Sequence, residues 1–179
     1  MSAYRIALEP FDAADIDQLL SWLRTESDLI QWAGAAMNFP LTRAQLVKYF
    51  DNTQRNHGTH YVYRVREQQS NHIIGHCGLS SISRAHRSCR LSRILIGDRE
   101  HRGKGYGQDM VRQLLAIAFN ELKLHRVELD VFDFNTAAIR CYERCGFIRE
   151  GLRRDAARCG DNYWNSIVMG CLSSELKSI

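Results

Sequence analysis

Prolines are scarce in this chain: only Pro10 and Pro40 occur in 179 residues. No proline- or glycine-rich linker divides the sequence, and no internal repeat or low-complexity tract appears. One domain over 1–179 is the expectation, because 179 residues suffice for a single hydrophobic core. Long apolar runs are missing as well, and none approaches the roughly 20 residues that cross a bilayer. The opening stretch MSAYRIALEPFD lacks the apolar segment of a secretory leader. No membrane partner is expected, and a reducing cytoplasm with free thiols is. Cys77, Cys89, Cys141, Cys145, Cys159 and Cys171 form no CxxC pair and no Cys/His metal spacing, so neither a disulfide framework nor a metal is expected. Runs of one charge are also absent. The net charge of +4 helps an anionic ligand approach but is no nucleic-acid footprint, and no nucleic-acid partner is expected.

What is present alternates between two hydrophobic periods. A short strand is expected at 4–8. Ile16, Leu19, Leu20 and Leu23 recur at helical spacing, which predicts a helix over 12–24. A loose aromatic stretch with Trp32, Phe39 and Pro40 follows. Thr42 and Gln45 have capping-box spacing, so a second helix should run from there to about Asn56. Paired strands are expected at 61–66 and 73–82, joined by the polar turn 68–72, with a further strand at 90–97. The longest helix, 105–122, carries Val111, Leu114, Leu115, Ala118 and Leu122 on one face. A strand at 126–132, a short helix at 136–144 and strands at 147–152 and 163–172 complete an α/β domain with a mixed, mostly antiparallel central sheet flanked by helices.

The segment Arg102-Gly103-Lys104-Gly105-Tyr106-Gly107 follows the apolar strand end Ile94-Leu95-Ile96 and opens the longest helix. Its glycines permit a tight bend and close approach of a ligand to the main chain. Free N–H groups at the helix start, with the helix dipole, make an anion site that suits a pyrophosphate. Arg102 and Lys104 add positive charge. The spacing excludes both a dinucleotide GxGxxG and a Walker loop. Taken alone, the segment reads equally as a ligand-free glycine-rich helix start. A second motif follows the next strand: Asn135, Ala138, Ile139 and Tyr142 fall on one helical face, with Gly146 placed as a C-cap before Phe147. Asn135 is also a natural N-cap, and Tyr142 also reads as a core aromatic.

Strand–RxxGxG–helix followed by strand–N-x2-A-x3-Y-x3-GF resembles the GNAT superfamily of acetyl-coenzyme A-dependent N-acetyltransferases, over Arg90 to about Met169. Leu124-His125-Arg126-Val127 and Gly151-Leu152-Arg153 resemble the branch with ribosomal-protein alanine and spermidine acetyltransferases. The resemblance implies a sheet splayed at the cofactor site, with the pantetheine arm of acetyl-CoA bonded by backbone around Leu95, Ile96 and Gly97. It implies the pyrophosphate on the amides from Arg102 to Gly107, Asn135 touching or supporting the pantetheine, and Tyr142 near the thioester sulfur as general acid.

Direct acyl transfer to an amine needs no covalent enzyme intermediate, so no nucleophilic cysteine is sought. The strand before the loop, Arg90-Leu91-Ser92-Arg93, lacks the glutamate that many members of the superfamily carry there. Glu128, Asp130 and His76 are the other candidates for a base, and each reads first as a surface or strand-polar residue. Trp22, Trp32, Phe39, Tyr163 and Trp164 are candidates for the acceptor wall, with core packing the first reading of Trp22. The expected acceptor is a primary amine, either a small molecule or a peptide N-terminus, and a homodimer is compatible with this reading. A catalytically silent acyl-CoA-binding module is the alternative.

Overall fold

The structure, a computed structural model, describes residues 4–56 and 58–176. Seven strands form one sheet: β1 (Ile6–Pro10), β2 (Tyr61–Glu67), β3 (Ile73–Ser83), β4 (Ser88–Ile96), β5 (Arg126–Phe132), β6 (Ile148–Cys159) and β7 (Asn162–Leu172). Their order is β1-β2-β3-β4-β5-β7-β6. Every neighbouring pair is antiparallel except β4 and β5, which are parallel. Among the described residues, five α-helices flank the sheet: α1 (Ile16–Trp22), α2 (Glu26–Ala33), α3 (Arg43–Arg55), α4 (Tyr106–Ala116) and α5 (Thr136–Arg144). The mixed, mostly antiparallel architecture is the expected one. The turn 68–72 closes β2 onto β3 because the Glu67 carboxylate accepts the N–H groups of Gln69 and Ser70.

Two apolar clusters cover the sheet. Met110, Val111, Leu114 and Leu115 of α4 and Ile139 of α5 bury against Ile74, Leu79, Val127 and Leu129. Leu19, Leu29, Trp32 and Leu46, from α1, α2 and α3, form the second cluster with Phe11. Ile94 and Ile96 pack against the first cluster and Leu95 against the second. Successive strand residues point to opposite faces, so the clusters sandwich β4.

Several expected boundaries shift for local reasons. The stretch expected to be loose after α1 forms α2, because Thr25 and Asp28 make a reciprocal capping box ahead of Leu29, Ile30 and Trp32. At α3, Thr42 caps the N–H of Gln45, but the Gln45 amide turns instead to the backbone of Asn38 and Pro40. The 12–24 segment opens with a 3-10 turn, Ala13–Asp15, before α1. The longest helix finishes in a π turn, Ile117–Glu121. β6 continues to Cys159, seven residues past its expected end at Leu152.

His76 of β3 is buried against the second cluster. It is 1% exposed, and the rings of Phe11, Trp32 and Tyr49 surround it at 4.9, 5.4 and 5.9 Å. Its ring nitrogens face the Tyr49 hydroxyl and the Arg93 carbonyl. Burial holds its pKa down at about 3, and the nearby Arg93 charge pushes the same way against the carbonyl's opposing effect. An unfolded histidine protonates near 6.5, so the unfolded chain binds the extra proton between that pH and about 3. The stability contributed by a neutral buried His76 is therefore complete above about pH 6.5 and falls by about 1.4 kcal/mol per unit as pH drops through the window. His76→Gln should flatten the loss of stability between pH 6.5 and 5 by about that slope in denaturant melts. Equal slopes for the two proteins would show that His76 is not held neutral.

Candidate active site

The parallel pairing of β4 and β5 is short. Ser88, Cys89 and Arg90 pair with Arg126, Val127 and Glu128, and the pairing stops there. Beyond it β5 remains paired to β7, while β4 remains paired to β3. The two strands diverge and open a cavity of about 1350 Å³, walled by 90–96 of β4, 129–132 of β5 and parts of α2, α3 and α5. The divergence has a local cause. Opposite Cys77, which lies between His76 and Gly78 of β3, β4 places two residues, Arg93 and Ile94. Such a bulge bends the strand and increases its twist. An ion-pair chain pins the last paired rung: Arg90 holds Glu128 and Asp130, and Arg126 holds Glu128 and Glu150.

The glycine-rich loop lies at the mouth of this gap. Gly103 has φ +75° and Gly105 φ +86°, the left-handed region that favours glycine. Gly105 is the N-cap of α4. Among the described residues, the N–H groups of Gly103, Lys104, Gly105, Tyr106 and Gly107 donate to no protein acceptor. Five free donors at a helix start form an anion site. Arg5, which the sequence reading did not single out, braces the outside of the loop. It bonds the Lys104 carbonyl at 2.7 Å and Asp109 at 2.8 Å, and its guanidinium lies 4.8 Å from the Tyr106 ring centroid.

The expected site residues divide into two groups. Leu95, Ile96, Arg102, Gly103, Gly105, Gly107, Asn135 and Tyr142 all line the cavity, whereas Gly97, Lys104 and Tyr106 do not. The Gly97 N–H is used by the Ile74 carbonyl of β3, and Trp22 covers its Cα so closely that an added Cβ would lie 1.9 Å from the indole. The Leu95 carbonyl faces Gly75 of β3. Alternation then turns the main-chain groups of Ile96 toward the gap. The Ile96 carbonyl already accepts from Arg102 Nε at 2.8 Å, so Arg102 leans back on the strand end.

α5 faces the loop from across the gap. Asn135 caps α5 by accepting the Ala138 N–H through Oδ1 at 3.2 Å, and its Nδ2 makes no bond among the described residues. Asn135 thus caps α5 and lines the cavity. The Tyr142 ring packs on Phe147 at 5.8 Å, and its hydroxyl has no hydrogen-bond partner among the described residues. Burial keeps the phenol protonated by raising its pKa, with the neighbouring cysteines adding to the effect. Cys141 also lines the cavity, and an added Cβ on Gly107 would lie 3.6 Å from its sulfur. Its thiol hydrogen-bonds with Cys145, which keeps Cys141 protonated and lowers the pKa of Cys145. All six cysteines are free.

Of the candidate bases, Glu128 and Asp130 are held by arginines, and His76 lies in the core behind the cavity wall. His60, not singled out from sequence, lines the cavity with its pKa lowered by burial and by Arg93, and is neutral at neutral pH. Trp22 and Trp32 are in the wall. Phe39 and Tyr163 stand exposed, and Trp164 packs on Phe132 and Phe134 instead.

Comparison with known proteins agrees with this geometry. The chain is 27% identical over 183 residues to the probable N-acetyltransferase YjcK of Bacillus subtilis (strain 168), covering 95% of each. It is 35% identical over 101 residues to a spermidine N(1)-acetyltransferase of Vibrio cholerae, covering 56% of this chain and 53% of that one. A solved spermidine N-acetyltransferase from Vibrio cholerae, in complex with CoA and spermine, shares the fold with a TM-score of 0.83 over 96% of this chain and 97% of that chain, at 23% identity. The acetyltransferase (GNAT) domain family matches residues 5–148. The chain therefore belongs to the GNAT acetyltransferase family and is an N-acetyltransferase, transferring an acetyl group to an amine.

Proposed function

We propose that the acetyl donor is acetyl-coenzyme A, seated in the gap between β4 and β5, and that a primary amine attacks its thioester directly. The observation that carries this reading is the adjacency of two unsatisfied backbone surfaces: the strand edge left free by the splay, and the five free N–H groups of the loop. An extended amide chain suits the first and a pyrophosphate the second. Ile96 offers its carbonyl to a pantetheine amide, since that oxygen has a second lone pair beside the one used by Arg102. Asn135 offers its free Nδ2–H. The acceptor is a small-molecule amine or a peptide N-terminus, and the location is the cytoplasm.

In the reaction, the neutral amine's lone pair forms a C–N bond to the thioester carbon and the C–S bond breaks. The electron pair leaves on sulfur and the Tyr142 hydroxyl supplies a proton there, while the proton lost from the amine nitrogen passes to solvent water, which reprotonates the phenolate. The hydroxyl's depressed acidity keeps its proton in place until a basic thiolate forms. No enzyme thiol is acylated, in keeping with Cys141 being held protonated by its partner.

Two substitutions test the binding and the chemistry separately. Gly105→Glu puts a carboxylate beside the free amides and a side chain on a left-handed backbone. Repulsion of two unit charges about 4 Å apart near a surface is ~4 kcal/mol. Coenzyme A affinity measured by calorimetry should fall about 100-fold or more, while Gly105→Ala should lose much less. Unchanged affinity in a folded Gly105→Glu protein would remove the loop from the site. Tyr142→Phe keeps the ring packed on Phe147 and removes only the hydroxyl. Turnover should fall on the order of 100-fold, while coenzyme A affinity shifts by less than about 10-fold, the value of one neutral hydrogen bond. Full turnover in Tyr142→Phe would make Tyr142 a packing residue.

A further inference from the structure

Arg93 places a positive charge in the cavity wall, where the Tyr49 hydroxyl is a hydrogen-bond partner but, among the described residues, no carboxylate neutralises it. Its Cζ lies 4.7 Å from the Trp32 ring centroid and 4.6 Å from that of Tyr49, in the corner where the two rings meet edge to face. Cation–π contact orients the guanidinium without cancelling its charge. Among the described residues, the buried Nη1 has no hydrogen-bond partner, and neither has the buried indole Nε1 of Trp32. Among the described residues no carboxylate forms an ion pair with Arg93, whereas Arg90, three positions earlier on β4, holds two. The acids that line the cavity are already committed. Asp28 caps α2 through Thr25, and Asp130 is held by Arg90 and Arg153.

The backbone adds a second, independent observation. Arg93 has φ +56°, a left-handed conformation at the β4 bulge where glycine would be unstrained. One residue thus combines a strained backbone with a buried, unpaired charge, and its side chain lines the cavity. The backbone conformation belongs to the bulge, whereas the buried, unpaired donor is unfavourable for folding alone and persists where a ligand supplies the missing partner. The free groups are hydrogen-bond donors from a cation and an indole, which match the oxygens of a carboxylate or phosphate. The position separates this anion from the pyrophosphate. Arg93 is surrounded by Trp32 of α2, Tyr49 of α3 and His60 just before β2, not by the 102–107 loop.

We infer that Arg93 and the Trp32 indole N–H receive an anionic group of the amine acceptor, a carboxylate or a phosphate. The acceptor would then be an amine that carries an anion, and a polyamine would be disfavoured by the same buried charge. The inference rests on the proposal that this cavity is the site of acetyl transfer.

Matched amines test it: leucine against leucinamide for a carboxylate, glucosamine 6-phosphate against glucosamine for a phosphate, and spermidine as the polycation. Each is measured twice, by thiol release from acetyl-CoA and by calorimetric binding to protein saturated with coenzyme A. The anionic member of at least one pair should be favoured on the order of 100-fold, and the pair that shows it identifies the anion. Arg93→Gln should abolish the preference and Arg93→Lys retain part of it, with coenzyme A affinity unchanged in both. Equal treatment of both pairs, a preference for spermidine, or an anionic preference that survives Arg93→Gln would overturn the inference. An Arg93-dependent binding preference without thiol release would support it and count against the proposed reaction. Spermidine turnover that Arg93→Gln leaves intact would do the opposite.

Discussion

The constraint on which the rest of the molecule depends is the early end of the β4–β5 pairing. Only three rungs of parallel ladder form before the strands part. A sheet interior normally leaves no main-chain group unpaired, so an interior edge left open needs a ligand or water for its polar groups. The divergence can persist because each strand keeps its other neighbour, β3 for β4 and β7 for β5. The ion pairs of Arg90 and Arg126 hold the closed end, and the bulge at Arg93 and Ile94 bends β4 away at the open end. The cavity is thus the product of one irregular strand in an otherwise regular sheet.

The helices turn that opening into a site. α4 buries its apolar face in the first cluster, which aims its N-terminus, and the loop before it, at the gap. α5 packs close by, with Cys141 near Gly107 and the Cys145 thiol 3.9 Å from the Gln108 carbonyl. That contact sets the position of Tyr142 relative to the loop, and it gives the two cysteines a packing role. On the other side of the sheet, α1, α2 and α3 supply Trp22, Trp32 and Tyr49 to the same cavity. The two sides of the cavity therefore rest on different apolar clusters and meet at β4, and the proposed reading gives the donor to one and the acceptor to the other.

Much of the donor side was legible in the sequence because its signals are local. The tight bend expected of the loop glycines is present, with positive φ at 103 and 105, and Asn135 and Tyr142 share a face because seven residues make two helical turns. The acceptor side was less legible. α2 is short, and its start is marked only by the Thr25–Asp28 box, so Trp32 read as part of a loose stretch. Arg5 meets the loop across 99 residues of chain, which no local pattern announces. Leu95 and Gly97 were expected to bond the cofactor, but the direction of main-chain groups along β4 depends on strand register and the bulge. Arg93 is one arginine among many in the sequence. Its distinction, a positive φ and an unpaired buried charge, exists only in the fold.

In the proposed reading, coenzyme A lies along the open edge of β4 with its pyrophosphate on the 102–107 loop. Hydrogen–deuterium exchange of the full chain, with and without coenzyme A, is the decisive measurement, because the loop amides have no protein acceptor among the described residues and should exchange quickly when free. Coenzyme A should slow exchange in peptides covering 94–97 and 103–107 more than anywhere else in the chain. Binding that leaves both segments exchanging as in the free protein, while protecting another surface, would contradict it.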